Sequence, residues 1–189
     1  MTNLSMKLTA LLGCLSDFEQ KILELSKAMN IELCNYVIDH IALRVNTEEK
    51  ARNWLTLLLN YGRILGNNVI NGRPIYLIEL KHAVTIIGQS VDIIELPFPK
   101  NKKYPKETWE HIEIVIPFLP NESSKQWVER IYRQFLWEKL TNLSFKISEP
   151  KAESEQLPNP SIAVSFSDKS LNHTCIKVHP YHIKKILEV

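Results

Sequence analysis

The stretch Asp39-His40-Ile41-Ala42-Leu43 recurs later in the chain as Glu110-His111-Ile112-Glu113-Ile114. In each copy an acid and a histidine precede apolar residues that alternate with other side chains, and this period of two predicts a β-strand. Alternation places the aliphatic side chains on one face of each strand and His40 or His111 on the other face. The recurrence therefore predicts two copies of one supersecondary unit.

A helix and three strands are predicted after each copy of the repeated strand. In the first copy the apolar spacing from Ala51 to Leu58 predicts a helix, with Thr47 as its cap and Gly62 as its stop. In the second copy the spacing predicts a helix over 122–139, with Asn121 as its cap. Strand-like runs follow at 63–66, at 74–80 with an extension toward 87, and at 91–96 in the first copy, and at 143–147, 161–166 and 174–178 in the second.

This element order predicts an α+β fold built from two paired βαβββ modules, one at 34–100 and the other at 104–189. Residues 1–33 are expected to form an N-terminal helical extension. Within it Phe18 begins an apolar face at helical spacing, and Ser16 with Glu19 is expected to form a capping box.

The composition excludes several classes of function. The 189 residues include 23 Lys and Arg against 21 Asp and Glu, a net charge of +2, so neither nucleic acid nor a membrane surface is expected as a partner. No run approaches the roughly 20 apolar residues that span a bilayer, and the N-terminus does not have the pattern of a secretory signal. Three scattered cysteines, Cys14, Cys34 and Cys175, are typical of a reducing compartment, so we expect a cytoplasmic protein.

Three side chains with metal-ligand chemistry are expected to share one interior. The aliphatic faces of the two repeated strands must be covered by helices, so His40 and His111 are expected to face an enclosed cup on the other side of the strands. By the same alternation Glu95, between Ile94 and Leu96, projects into that cup. Imidazoles and a carboxylate suit a divalent ion such as Zn²⁺, Mn²⁺, Fe²⁺, Co²⁺ or Ni²⁺.

The chain resembles the YecM family of bacterial proteins and, more broadly, the vicinal oxygen chelate superfamily of glyoxalases and dioxygenases. The segments that carry the resemblance are Asp39–Arg44, Asn71–Ile75, Glu95–Pro99, Tyr104-Pro105, Trp109–Val115, Pro150-Lys151, Leu157–Pro160 and Ile176–Pro180. The resemblance implies a glyoxalase-like fold and a divalent-metal enzyme that acts as an isomerase, epimerase, lyase or dioxygenase. It also implies a small oxygenated, anionic substrate.

Metal-binding members of the superfamily have ligands on the first and fourth strands of each module. The resemblance assigns three of these positions to His40, Glu95 and His111, and the fourth falls on Lys177, whose ammonium has no lone pair. Two interpretations follow: an ion held by three protein ligands, or no ion and a Lys177 that neutralises Glu95. His179 or Glu113 are alternative fourth ligands.

The remaining candidate residues are expected to act on the substrate or to bind it. Glu113 is interpreted either as the catalytic general base or as a partner of Arg44. We expect Arg44, Arg73, Lys177 and His179 to bind the anionic substrate, with ordinary ion pairs as the alternative for the arginines. A non-catalytic, metal-free binding protein of the same fold is the second hypothesis, and a homodimer is compatible with either.

Overall fold

The computed structural model describes residues 14–70, 72–101, 103–149, 157–170 and 172–187. The helices among them are α1 (Leu15–Ala28), α2 (Glu48–Leu59), α3 (Ser124–Gln134) and α4 (Ile183–Ile186), with 3₁₀ turns at Leu33–Asn35 and Trp137–Lys139. The strands are β1 (Val37–Arg44), β2 (Gly62–Ile70), β3 (Arg73–Ile86), β4 (Gln89–Pro97), β5 (Thr108–Val115), β6 (Leu143–Ser148), β7 (Ser161–Phe166) and β8 (Cys175–His179). Residues 1–13 of the predicted helical extension lie outside the described residues.

The first of two compact units contains residues 14–19 and His40–Glu110. Its strands are ordered β2-β3-β4-β1. The strand β3 pairs antiparallel with both β2 and β4, whereas β1 pairs parallel with β4. Parallel neighbours need a long connection, and here α2, β2 and β3 all lie between β1 and β4 in the sequence.

The second unit contains Gln20–Asp39 and the described residues from His111 onward, and it repeats this pattern. Its strands are ordered β5-β8-β7-β6, with β5 parallel to β8 and the other pairs antiparallel. Each unit therefore has the order strand, helix, three strands, and in each the first strand pairs with the fourth. The predicted α+β fold of two βαβββ modules is confirmed, while the residue boundaries predicted for the modules and for the extension stay predictions.

A tryptophan anchors the helix in each unit. Trp54 on α2 and Trp127 on α3 are buried, and Trp127 also donates a 2.8 Å hydrogen bond from its indole N–H to the carbonyl of Ile116. In the second unit Trp137 donates to the carbonyl of Met29 at 2.8 Å and lies near several other aromatic rings. Buried aromatic side chains with satisfied N–H groups combine a large apolar contribution with a fixed orientation.

Three local predictions about helix ends are wrong. The helix α1 begins at Leu15, so Ser16 is inside it, and the Glu19 carboxylate instead accepts the backbone N–H of Ile87 at 2.5 Å. The cap of α3 is Ser123, in a capping box with Gln126, whereas Asn121 lies upstream with a positive φ of 61°. Each misplaced cap lies within a few residues of the true helix start, where several polar residues have similar capping chemistry.

Gly62 does not end the helix α2, although the sequence predicted that it would. The last capping position of α2 is Asn60, and Gly62 is the first residue of β2. A Cβ at Gly62 would collide with the carbonyl oxygen of Glu79 on β3. Glycine is needed here because the backbones of two strands approach each other closely.

Within the described ranges, no helix combines the length and the apolar character needed to cross a bilayer.

Candidate metal centre

His40 and Glu95 lie side by side in the first unit. His40 is on β1 and Glu95 is on β4, and the parallel pairing of these strands sets Ala42 opposite Glu95. The distance from His40 Nε2 to Glu95 Oε2 is 3.5 Å. Both residues are buried, with His40 only 1% exposed. The first unit therefore presents one sheltered imidazole beside one sheltered carboxylate.

The second unit also places an imidazole beside a carboxylate. His111 and Glu113 are both buried on β5, and His111 Nε2 lies 3.2 Å from Glu113 Oε1. Lys177 on β8 is paired with Glu113 in the strand register, and its Nζ donates to the same carboxylate oxygen at 2.7 Å. The acid of this unit is therefore neutralised by an adjacent ammonium, and that ammonium occupies the position that the family resemblance gives to a fourth ligand.

His179 is enclosed between two carboxylates of the second unit. Its Nδ1 lies 3.6 Å from Glu113 Oε2, and its Nε2 lies 3.2 Å from Asp39 Oδ2. The His179 side chain is 2% exposed, so it is part of a buried polar network. This network connects a residue assigned to the substrate, His179, with the candidate base, Glu113.

Asp39 is a residue that the sequence reasoning missed. Its side chain is 0% exposed, and both of its carboxylate oxygens accept the backbone N–H of Ile183 at 3.1 Å. His182 Nδ1 lies 3.1 Å from Asp39 Oδ1. A signal was present in the sequence, because alternation puts Asp39 on the same face of its strand as Ile41, and an acid there needs buried partners.

The two candidate arginines lie elsewhere in the first unit. Arg44, at the end of β1, forms an ion pair with Glu110, and its guanidinium lies 3.8 Å from the centre of the Tyr104 ring. Arg73 is the first residue of β3, where it pairs with Ile70, and it is partly buried. The ion pair and the ring contact fix the direction of the Arg44 side chain.

Asn46 holds the segment that carries Tyr104. The Asn46 side chain donates to the carbonyl of Tyr104 and accepts its N–H, each at 2.7 Å, and the Asn46 backbone N–H donates to Glu107 at 2.7 Å. The hydrogen bond from Lys50 Nζ to Glu107, with the Asn46 N–H, lowers the pKa of the Glu107 carboxyl below its usual value. These hydrogen bonds therefore fix the backbone of Tyr104, whose ring lies beside Arg44.

The structure brings the predicted site residues together in two groups, each within one unit. His40 and Glu95 form one group, and His111, Glu113, Lys177 and His179 form the other. The imidazole–carboxylate pair in each group has the donor chemistry of a site for a divalent metal ion.

Comparisons with known proteins match nearly the whole chain. The family described as "YecM protein" matches residues 7–189. An uncharacterized protein of Haemophilus influenzae is 63% identical over 99% of this chain and 97% of its own length. Protein YecM of Escherichia coli is 38% identical over 87% of this chain and 84% of its own length.

Two solved structures align with most of the chain. A structural-genomics structure named Protein EC4020 aligns with a TM-score of 0.75 and 34% identity, over 92% of this chain and 87% of its own. A methylmalonyl-CoA epimerase in complex with methylmalonyl-CoA and NH4+ aligns with a TM-score of 0.46 and 12% identity, over 77% and 94% of the two chains. The match to the family over residues 7–189 and the identity to the Escherichia coli relative together establish that the chain belongs to the YecM family.

Proposed function

We propose that the chain binds one divalent metal ion through His40, Glu95 and His111 and acts as an enzyme on a small oxygenated, anionic substrate. One observation carries the proposal: each unit buries an imidazole beside a carboxylate, with His40 Nε2 3.5 Å from Glu95 Oε2 and His111 Nε2 3.2 Å from Glu113 Oε1. Ligand atoms that share a zinc ion lie about 3 to 4 Å apart, so the spacing within each pair is that of two ligands of one ion.

The donor set fits a borderline divalent ion. Imidazole nitrogens with a carboxylate oxygen suit Zn²⁺, Mn²⁺, Ni²⁺, Co²⁺ or Fe²⁺, and three protein ligands leave positions open for a substrate. The buried environment strengthens electrostatic attraction between these ligands and a cation. When bound, such an ion polarises neighbouring substrate oxygens and stabilises negative charge that develops beside them.

Glu113 is proposed as the general base that removes a proton from the substrate. It lies beside His111, and Lys177 holds one of its oxygens at 2.7 Å, which fixes the direction of the carboxylate. Lys177, His179, Arg44 and Arg73 are proposed to bind the negative charge of the substrate. A positioned carboxylate base favours isomerase, epimerase or lyase chemistry over ring opening by a dioxygenase.

The metal-free binding protein is the second candidate function. Lys177 favours it, since an ammonium at a ligand position repels a cation. However, Lys177 and His179 each lie against an acid in the second unit, and Arg44 is paired with Glu110. These partners compensate much of the positive charge that a metal-free anion pocket would need, whereas a bound cation would add positive charge of its own, so the metal-dependent function is better supported.

Metal binding by protein purified without a histidine tag tests the proposal. Chelator-treated protein is titrated with each of Mn²⁺, Ni²⁺, Co²⁺ and Zn²⁺ by calorimetry, and thermal unfolding is followed in parallel. We expect one ion per chain with at least one of these metals, together with a rise in unfolding temperature, because the ion binds only the folded state.

Substitution of the ligands then separates the two functions. His40→Ala and His111→Ala are each expected to weaken metal affinity by at least about 100-fold, since even outer-shell changes cost about 10- to 100-fold. His82→Ala, at an exposed position on β3, serves as the matched control and is expected to bind like the unaltered protein. Absence of binding for every metal, or unchanged affinity in both ligand variants, would contradict the proposal.

We also propose that the protein works in the cytoplasm. Cys14, Cys34 and Cys175 are all free thiols, and Cys14 and Cys34 are exposed, which suits a reducing compartment. The proposed partner is a small molecule, with no nucleic acid or membrane involved. A homodimer is compatible with this function, and light scattering after gel filtration measures the oligomeric state.

A further inference from the structure

We propose that Asp39 and His179 act as a buried positioning pair that sets the direction of the Glu113 carboxylate. The chain of contacts runs from Asp39 through the His179 ring to Glu113, all within the second unit. The inference rests on the proposed function only in giving Glu113 the role of base. Asp39 does not need to touch the substrate, and the positioning role of His179 is additional to the substrate contact proposed for it.

Asp39 is the fixed end of this chain of contacts. A wholly buried carboxylate is costly unless donors compensate its charge. The Ile183 N–H contacts both oxygens at 3.1 Å, and the His179 and His182 rings lie at 3.2 and 3.1 Å. The Ile183 N–H donates to both oxygens and two rings lie against them, so the Asp39 carboxylate has one defined orientation, and its Oδ2 faces the His179 ring.

The His179 backbone is fixed as well. It pairs with Val115 in the parallel register of β5 and β8, and its carbonyl accepts the Ile116 N–H at 2.9 Å. Rotation about the side-chain bonds is then the main remaining freedom of the imidazole. The contact between Nε2 and Asp39 restricts that rotation and directs Nδ1 toward Glu113 Oε2.

Glu113 thereby has a different neighbouring group at each of its two oxygens. Oε2 faces His179 at 3.6 Å, while Oε1 faces Lys177 at 2.7 Å and His111 at 3.2 Å. Two contacts on one oxygen and one on the other determine the plane of the carboxylate. If the His179 contact is removed, we expect Glu113 to rotate and its contact with His111 to change.

Nuclear magnetic resonance of the histidine ring nitrogens in metal-free protein tests this inference. His179→Gln puts an amide near the former Nε2 position, so it can keep the Asp39 contact while removing the contact from Nδ1 to Glu113. We expect the ring-nitrogen signals of His111 to shift in His179→Gln. Asp39→Asn removes the negative charge that faces the His179 ring. We expect this variant to shift the ring-nitrogen signals of both His179 and His111.

Two further variants complete the experiment. Glu113→Gln changes the residue at the other end of the chain of contacts and is expected to shift the ring-nitrogen signals of His179. This variant tests the inference even if the other variants fail to fold. Asp168→Asn, at an exposed acid of the same unit, is the control and should leave all these signals unchanged. Unchanged His111 signals in folded His179→Gln, or unchanged His179 signals in Glu113→Gln, would overturn the inference.

The metal titration keeps the two proposals distinguishable. The resonance measurement uses metal-free protein, so a shift of the His111 signals supports the positioning pair even if the unaltered protein binds no metal. Conversely, metal binding together with unchanged His111 signals in His179→Gln supports the proposed function and overturns the positioning role.

Discussion

The two units carry the same pair of chemical groups in different arrangements. In the first unit the imidazole is on β1 and the acid is Glu95 on β4, opposite Ala42. In the second unit both groups are on β5, and the residue opposite Glu113 on β8 is Lys177. In each unit one residue of this pair between the first and fourth strands is an acid. The acid is on the fourth strand, β4, in the first unit and on the first strand, β5, in the second unit.

This exchange changes the local charge. The pair Ala42 and Glu95 carries one negative charge, whereas the pair Glu113 and Lys177 carries none in total. The difference teaches that the two carboxylates differ in the negative charge that each leaves for a cation. Under the proposed function, we expect Glu95 to attract the ion more strongly than Glu113, because Lys177 compensates the charge of Glu113.

The largest expected effect comes from giving the first unit the charge pattern of the second. Glu95→Lys removes a carboxylate beside His40 and introduces an ammonium. We expect metal affinity to fall by at least about 1000-fold, because one unit charge at about 4 Å contributes about 4 kcal/mol near a protein surface. Calorimetric titration measures the loss, with Glu95→Gln as the neutral comparison that should lose less. Equal affinities for Glu95→Lys and Glu95→Gln would show that charge does not control the site.

A smaller effect of opposite sign is expected when the second unit loses its ammonium. Lys177→Met removes the ammonium but keeps most of the length of the side chain, so the compensation that Lys177 gives to the charge of Glu113 is lost. We expect metal affinity to rise by about 10- to 100-fold, and the metal-free protein to lose about 1–3 kcal/mol of stability. Titration and chemical denaturation measure both, with Lys146→Met at an exposed position on β6 as the control. Weaker binding by Lys177→Met would assign Lys177 a supporting role at the metal.

The corresponding tryptophans give a third comparison, one of stability. Trp127→Phe removes the indole N–H that donates to the Ile116 carbonyl, whereas Trp54→Phe removes mainly apolar contacts. We expect Trp127→Phe to cost about 1–2 kcal/mol more than Trp54→Phe, because it leaves a buried acceptor unpaired. Urea denaturation of the two variants measures the difference, and equal losses would mean that the hydrogen bond contributes little.

The smallest expected effects concern acid stability. Hydrogen bonds from Arg130 lower the pKa of Glu122 in the second unit, as those from Lys50 lower the pKa of Glu107 in the first. Because both folded-state pKa values lie below the usual 4.5, each carboxylate stabilises the fold above that pH. This stabilisation is lost as the pH falls through the lowered values.

Glu122→Gln and Glu107→Gln should therefore each reduce the fall in unfolding free energy between neutral pH and about pH 3. We expect less than about 1 kcal/mol for each. The effect should be larger for Glu122, whose side chain is 8% exposed and contacts Arg130 through both oxygens. Denaturation at a series of pH values checks this, and pH profiles identical to that of the unaltered protein would contradict it.

Much of the fold was predictable because the signal was local. Alternating isoleucines around His40 and His111 have the period of a strand, and apolar spacing around Trp54 and Trp127 has the period of a helix. The same alternation groups the candidate ligands on one face of each strand. Repetition of the element order then predicted the two modules.

The rest was not predictable because it depends on contacts between distant residues. The sequence could not say which acid Lys177 would contact, since that depends on the register of β5 and β8. Nor could it connect Asp39 with His179 and Ile183, because no local pattern relates those positions. Gly62 was assigned to a helix end because its actual neighbour, Glu79, is brought close only by the pairing of β2 with β3.

The buried Asp39 carboxylate also affects the order of events during synthesis. Its donor at Ile183 lies 144 residues later in the chain. A ribosome adding about 5–20 residues per second needs roughly 7–30 s to make that length. During this interval the newly made Asp39 is best solvated by water, so we expect the start of β1 to stay exposed until translation reaches the residues that compensate its charge.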